Sequence, residues 1–207
     1  MVSAPHAERP HWDERFSKPG YYFGTEPNAF LTRVLGLVPG GARVLCVCDG
    51  EGRNGTFVAS QGYDVTTFDI SPVAVEKANA LASERGVTMQ THVSAVDTWD
   101  WAPDRFDAVV GIFFQFASPE LRTHIFESIM GTLRPGGLLL LEGYTPRQLA
   151  YGTGGPPLAE NMYTQDLLRE AFAAHDIVDL VEYDAEISEG PGHEGMSALI
   201  DCIVRKR

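Results

Sequence analysis

The stretch Val44-Leu-Cys-Val-Cys-Asp-Gly-Glu-Gly-Arg-Asn-Gly55, written VLCVCDGEGRNG, decides the fold. Its first half is an apolar run with the length of a buried strand, and its second half packs Gly50, Gly52 and Gly55 into six residues. A strand that enters a glycine-rich turn can bring its backbone close to a ligand, because a residue without Cβ permits both positive φ and close approach. The spacing fits the dinucleotide template G-x-G-x-x-G, so a nicotinamide cofactor is one reading; the template by itself is weak evidence.

Outward from this stretch, apolar runs with strand character alternate with segments of helical period. Strands are expected at 43–48, 64–69, 88–93, 106–112, 137–142, 176–184 and 197–205. Ser71-Pro72 and Ser118-Pro119 each place a capping hydroxyl before a proline suited to the first helical position, and Thr164 precedes Gln165-Asp166-Leu167 in the same way. Leu121, Ile125, Ile129 and Leu133 then share a helical face, as do Ala74, Ala78 and Leu81. The strand–helix–strand alternation repeats five times, which predicts an α/β protein with a parallel sheet covered on both faces. At the end, 176–184 and 197–205 are joined by a Gly/Pro-rich connection with no helix, which predicts an antiparallel hairpin at one edge.

Composition narrows the function. With 207 residues, 44% of them hydrophobic, the chain can bury one core and is expected to form a single domain. A formal charge of −12 disfavours nucleic acid and anionic membranes, since both draw affinity from neutralised phosphates. Cys46, Cys48 and Cys202 are an odd number for a disulfide framework and all sit in apolar runs, which points to a reducing cytoplasm. Cys46 and Cys48 share one strand face and read as packing, so no metal is assigned. The start, MVSAPHAERPH, has no apolar core for a signal peptide, and the aliphatic run Leu138–Leu141 is too short to span a bilayer.

A nicotinamide-binding domain needs two mononucleotide halves, whereas here one half is followed by a helix, Arg134-Pro-Gly-Gly137, a strand and the hairpin. From about Trp12 onward the chain resembles the class I S-adenosylmethionine-dependent methyltransferases. That resemblance rests on the glycine turn, on Phe68-Asp69-Ile70-Ser71 at the end of the second strand, and on Leu133-Arg-Pro-Gly-Gly137 before four leucines. It implies a single-domain, Rossmann-like, seven-stranded, mostly parallel sheet with a reversed last strand and helices on both faces. The domain would span 12–207 behind a flexible 1–11. A narrower likeness, to the tellurite-resistance-type methyltransferases and their uncharacterised relatives, rests on Trp12-Asp-Glu-Arg-Phe16, Phe23-Gly-Thr-Glu-Pro-Asn28, Asp49-Gly-Glu-Gly-Arg-Asn54 and Glu142-Gly-Tyr-Thr-Pro146.

The resemblance implies S-adenosylmethionine as cofactor and distributes its contacts. Cys48, Asp49, Gly50, Gly52, Arg53 and Asn54 would bend under the methionine part. Asp69, with Ile70 beside it, would accept from both ribose hydroxyls, and a carboxylate there repels a 2′-phosphate. Ser94, Ala95 and Val96 would meet the adenine through backbone groups, with the Asp97 side chain as the other candidate. Gly111 and Tyr22 complete the set, and Tyr21, Tyr22 and Phe23 would fold over the cofactor as a partial lid. Trp99 and Trp101 either wall the adenine or pack their loop. The wider superfamily has an acidic residue and a glycine where this chain has Cys46 and Cys48, and Asp49 would supply the negative charge instead.

The acceptor side follows from topology, because ligands in open parallel sheets bind outside the carboxyl ends of the strands. Three loops leave those ends: Gly111–Phe116 with Gln115, Gly143–Tyr163 with Tyr151, and the hairpin tip Ser188–Gly195 with His193. Gln115, Tyr151 and His193 are therefore the catalytic candidates, and a histidine acting as base predicts a rising pH limb near 6.5. The expected function is direct in-line methyl transfer to a small acceptor, such as a thiol, a metalloid oxyanion or another small nucleophile. The alternatives are cofactor binding without catalysis and, less favoured, a nicotinamide-dependent oxidoreductase.

Overall fold

The computed structural model describes residues 9–207. Of the expected flexible start 1–11, residues 1–8 lie outside the described residues and 9–11 open the first helix, α1 (Arg9–Phe16). There follow α2 (Ala29–Val34), β1 (Arg43–Val47), α3 (Arg53–Ser60), β2 (Asp64–Asp69), α4 (Pro72–Glu84) and β3 (Gln90–Val93). The second half runs β4 (Phe106–Ile112), α5 (Pro119–Thr132), β5 (Leu133–Tyr144), α6 (Gln148–Tyr151), α7 (Gln165–Ala171), β6 (Asp176–Ser188) and β7 (Glu194–Arg205). The caps act as the sequence predicts: the Ser71, Ser118 and Thr164 hydroxyls accept from Ala74, Leu121 and Leu167 N–H, each cap being worth about 1 kcal/mol.

One seven-stranded sheet has the order β3-β2-β1-β4-β5-β7-β6. Its first five members are parallel, and β7 runs antiparallel to both neighbours, inserted between β5 and β6. Helices cover both faces because the strands are apolar on both. Leu45, Val47, Val109, Leu139 and Leu141 pack with Ile125, Phe126 and Ile129 of α5 and Leu168 of α7. Their alternates Val44, Cys46, Ala108, Val110, Leu138 and Leu140 pack with Phe30 and Leu31 of α2, Val58 of α3 and Ala78 of α4. Each fully buried Leu, Ile or Phe contributes about 1.5–3 kcal/mol, so neither face tolerates a one-residue slip of register.

Two expectations are corrected. The alternation is not fivefold, since the chain passes from β3 to β4 through turns with no helix, and Trp99 and Trp101 fill that space. Both rings pack on Phe68, Trp99 stacked at 4.5 Å and Trp101 edge-on at 5.9 Å, so they seal the sheet and do not wall the cleft. The closing hairpin is also longer than its apolar pattern, with pairing that continues to Ser188↔Glu194. The added pairs include Glu186, Ser188 and Glu194, whose exposed polar side chains hide the strand from a hydrophobicity reading.

Candidate active site

The sheet reverses its order between β1 and β4, and a cleft opens at the carboxyl ends of β1, β2 and β4. It encloses about 950 Å³, its open mouth included. At its floor the chain leaves β1 through Cys48, which has φ 51°. A Cβ in this left-handed region costs about 1–2 kcal/mol, so position 48 is one that glycine would occupy without strain. The turn also corrects the pairing of the two cysteines. Cys46 is buried on the α2/α3/α4 side of the sheet, whereas Cys48 packs toward the α5 side and borders the cleft, because side-chain alternation ends where the extended chain ends.

Asp69 fastens the glycine turn to the end of β2. Its Oδ2 accepts from Gly50 N–H at 3.0 Å and its Oδ1 from Ser71 N–H at 2.9 Å. Each oxygen keeps a further lone pair for a ligand. Burial raises the Asp69 pKa to about 6 against the lowering effect of these donors. Asp49 Oδ2 accepts from Gly55 N–H at 3.0 Å, and burial raises its pKa to about 7. The glycines of the template thus divide their work. Gly50, at φ 57°, faces Phe16; a Cβ on Gly52 would stand 2.6 Å from Ala78 Cβ of α4; a Cβ on Gly55 would stand 2.6 Å from the Asp49 carboxylate.

Of the residues singled out for the cofactor, Cys48, Asp49, Gly50, Arg53, Asn54, Asp69, Ile70, Ser94, Ala95 and Val96 line the cleft. Gly52, Gly111 and Tyr22 do not. Gly52 lies behind the turn against α4, and Gly111 makes room for the Phe114 ring, which a Cβ would approach to 2.4 Å. Tyr22 is engaged through its main chain: its N–H donates to Glu51 Oε2 at 2.6 Å and its C=O accepts from Gly192 N–H at 3.1 Å. Of the expected lid, Phe23 reaches the cleft, while the Tyr21 hydroxyl donates to the Lys77 carbonyl at 3.4 Å.

The three acceptor-side candidates separate in the same way. His193 lines the cleft. Gln115 is buried outside it with its amide spent, since Nε2 donates to Tyr144 C=O at 2.9 Å and Oε1 accepts from Tyr144 N–H at 2.5 Å. Tyr151 ends α6 exposed to solvent, also away from the cleft. The His193 ring lies 4.5 Å from Phe23, 4.4 Å from Phe113 and 5.9 Å from Tyr144, centroid to centroid. Among the described residues neither of its ring nitrogens has a hydrogen-bond partner, and Nδ1 is fully buried. Burial, then the charges of Arg53 and Arg15, push its pKa down to about 3. The limb expected near pH 6.5 is accordingly corrected: this imidazole is neutral throughout the physiological range.

Trp12, Phe16 and Glu51 line the cleft without having been singled out as site residues, and in the loop Gly111–Phe116, expected on the ligand side, the lining is Ile112, Phe113, Phe114 and Phe116 in place of Gln115 and Gly111. Trp12 and Phe16 stack at 5.6 Å, and their i,i+4 spacing was an available signal. Phe113 has φ 53°, a conformation that a bulky residue adopts only when its surroundings impose it. The hairpin tip is latched over the cleft by a buried ion pair, Arg53 Nη2 to Glu189 Oε2 at 2.6 Å. Asn28 Nδ2 donates to Glu189 Oε1 at 3.1 Å and to Glu142 Oε2 at 2.5 Å, while Asn28 N–H donates to Asn54 Oδ1 at 3.0 Å. The entry segment, the glycine-turn helix, β5 and the hairpin therefore meet at one asparagine. Arg15 lies over the Trp12 and Tyr22 rings at 4.9 and 5.1 Å, with no ion pair among the described residues.

Residues 44–137 match a family model described as a methyltransferase domain. Among curated proteins, the chain is similar to the ubiquinone biosynthesis O-methyltransferase of Xanthomonas axonopodis pv. citri, with 34% identity over 124 residues, 58% of this chain and 51% of that protein. The chain spans about half the length of the curated relatives it matches. In fold it is similar to TehB from Haemophilus influenzae, with a TM-score of 0.70 and 15% identity over 97% of this chain and 67% of that one. It is equally similar to the N-methyltransferase NodS from Bradyrhizobium japonicum WM9, solved with S-adenosyl-L-homocysteine, with a TM-score of 0.72 and 13% identity over 98% of this chain and 99% of that one. The reversed β7 gives the chain the fold of the class I S-adenosylmethionine-dependent methyltransferases, and the segment that matches the methyltransferase-domain model carries the glycine turn and Asp69. No helix of the described residues is long and apolar enough to cross a membrane.

Proposed function

We propose that the protein is a cytoplasmic enzyme that transfers the methyl group of S-adenosylmethionine in line to a small-molecule acceptor. The observation that carries this reading is the Asp69 carboxylate at the end of β2. It lies in the cleft, tied to Gly50 N–H, with lone pairs left for two ribose hydroxyls. Other cleft residues fit the remaining parts of the cofactor. The backbone at Ser94–Val96 offers groups for an adenine, Cys48 to Gly50 and Asn54 border the space for the methionine part, and Arg15, outside the lining but over the Trp12 ring that belongs to it, brings positive charge toward its carboxylate. When bound, the cofactor supplies an electrophilic methyl on a sulfonium sulfur. The chain's own contribution is to orient the two reactants and keep water out, which the aromatic walls and the latched hairpin are suited to do.

Calorimetry tests the reading. S-adenosylmethionine and S-adenosylhomocysteine should both bind and NAD should not; binding of NAD alone would return the glycine turn to the oxidoreductase class. Turnover on a panel of small acceptors separates catalysis from binding without catalysis. A panel of thiols, phenols, amines and oxyanions that all remain unmethylated would favour the binding protein.

A further inference from the structure

We propose that the acceptor is a flat, uncharged molecule bearing a phenol- or thiol-type X–H group, and that this group donates its hydrogen bond to the imidazole of His193. The proposal rests on the methyltransferase reading and deepens it. Three observations support it. Phe23 and Phe113 lie directly against His193 at 4.5 and 4.4 Å, and Ile112, Phe114 and Phe116 line the same cleft, an apolar surface that stabilises a ring and offers an ion nothing. The charges nearby disfavour an anion: Arg53 is spent on Glu189, Lys77 on Glu51, and Asp49, Glu51 and Asp69 add carboxylates to the lining. Arg15 is the cation assigned above to the cofactor's carboxylate.

The third observation is the imidazole itself. A buried polar ring with no hydrogen bond is costly and rare, and a neutral imidazole has one nitrogen that can only accept. An incoming X–H satisfies it. The chemistry balances with that geometry. As the X–C bond forms, the S–CH3 bond breaks with its electron pair remaining on sulfur, and the X–H proton passes to the imidazole and from there to water. The products are X–CH3, a neutral thioether and one released proton. With a pKa near 3, His193 is too weak a base to ionise a phenol or thiol beforehand. It suffices late in the displacement, when X already carries the methyl group and its proton is far more acidic than an imidazolium. Arg53 of α3, Arg15 of α1, Tyr144 of β5 and Glu189 of the hairpin are the ionisable neighbours, and the two arginines favour the neutral ring.

The test uses the full chain loaded with S-adenosylhomocysteine, titrated by calorimetry with 4-methylphenol, 4-methylanisole, 4-methylbenzoate and selenite. The phenol should bind about fivefold more tightly than the anisole, the size of one neutral hydrogen bond, and the two anions should give no heat. His193→Phe should abolish the phenol's advantage while leaving S-adenosylhomocysteine affinity within about twofold, and His193→Gln should restore part of it. Should His193→Phe misfold, histidine nitrogen NMR of the parent protein keeps the question open to refutation, because the His193 signal should move with the phenol and stay with the anisole. Binding of benzoate or selenite, an equal affinity for phenol and anisole, or a phenol preference that survives His193→Phe would each overturn the proposal. Failure of the parent to bind S-adenosylhomocysteine would instead overturn the methyltransferase reading beneath it.

Discussion

At the glycine-turn end of the cleft, both Asp69 oxygens accept from main-chain donors and Asp49 accepts from another; at the hairpin end, His193 is held by rings and by no hydrogen bond. Burial acts on both ends with opposite signs. It raises the carboxylates to about 6 and 7 and lowers the imidazole to about 3, because in each case it disfavours the charged form. The difference teaches where each end can respond to a ligand. The carboxylate end is close to its titration midpoint and already built, whereas the imidazole end is electrically silent and waits for a partner. Arg53 joins the two, lining the cleft from α3 while its guanidinium holds the hairpin through Glu189.

Breaking that joint should have the largest effect. Glu189→Ala leaves the Arg53 guanidinium buried without its carboxylate and takes a partner from Asn28, so the protein should lose about 3–5 kcal/mol in urea unfolding. Glu189→Gln keeps the hydrogen bonds and should lose less. If Glu189→Ala unfolds like the parent, the hairpin rests on Tyr22 and the ring contacts, and the two ends of the cleft are independent.

The next effect separates binding from folding. Asp69→Ala should weaken S-adenosylhomocysteine by about 1.5–3 kcal/mol, through loss of a charged acceptor for the ribose hydroxyls. The corresponding change at the other end, His193→Phe, should leave that affinity almost unchanged. Equal losses from both would mean that the cofactor spans the whole cleft and that the comparison is wrong.

These contrasts also explain what the sequence could and could not reveal. The strands, the capped helices and the glycine turn were legible because their requirements are local: a period, a hydroxyl before a proline, a residue without Cβ. The address of His193 was legible too, since a strand returning parallel to β5 must turn on the ligand side. Its chemistry was not. The unbonded ring, the 136-residue separation between Arg53 and Glu189 and the meeting of Asn28 with Glu189 across 161 residues are products of tertiary packing that no window of sequence contains. Gln115 and Tyr151 were chosen by loop position, and a loop's position does not say whether an amide is spent on Tyr144 or a phenol faces solvent.

A smaller effect tests the titration side of the comparison. Asp69 must be ionised to accept both ribose hydroxyls fully, so S-adenosylhomocysteine affinity should fall by up to about tenfold per pH unit below pH 6, and Asp69→Asn should flatten that profile. Folding should respond in the opposite sense. Both carboxyls hold their protons more tightly in the folded state than in the unfolded chain, so their contribution to apoprotein stability is present at low pH and is lost as pH rises through 6 and 7. His193 should add nothing to the cofactor curve between pH 5 and 8, but it stays neutral in the folded protein while titrating near 6.5 in the unfolded chain, so its contribution to stability should fall as pH drops below about 6.5. A cofactor-binding limb that persists in Asp69→Asn and vanishes in His193→Phe would reverse the assignment of the two ends.

The smallest effect concerns Cys48, where the chain pays a conformational cost at the carboxylate end. At an ordinary position glycine is less stable than alanine by about 0.5–1 kcal/mol, because it surrenders more backbone freedom on folding. At φ 51° the Cβ costs about 1–2 kcal/mol, so the order should invert. Cys48→Ala keeps the strain and loses the thiol's packing against the α5 side, whereas Cys48→Gly loses the packing and relieves the strain. Urea unfolding should therefore rank Cys48→Gly about 0.5–1 kcal/mol above Cys48→Ala, with the parent near the glycine variant. S-adenosylhomocysteine should bind Cys48→Gly at least as tightly as the parent, because the substitution removes a side chain that borders the cleft and leaves the Gly50–Asp69 contact in place. If alanine proves the more stable of the two, the turn relaxes without strain, and the cysteine stands at this position for its contacts alone.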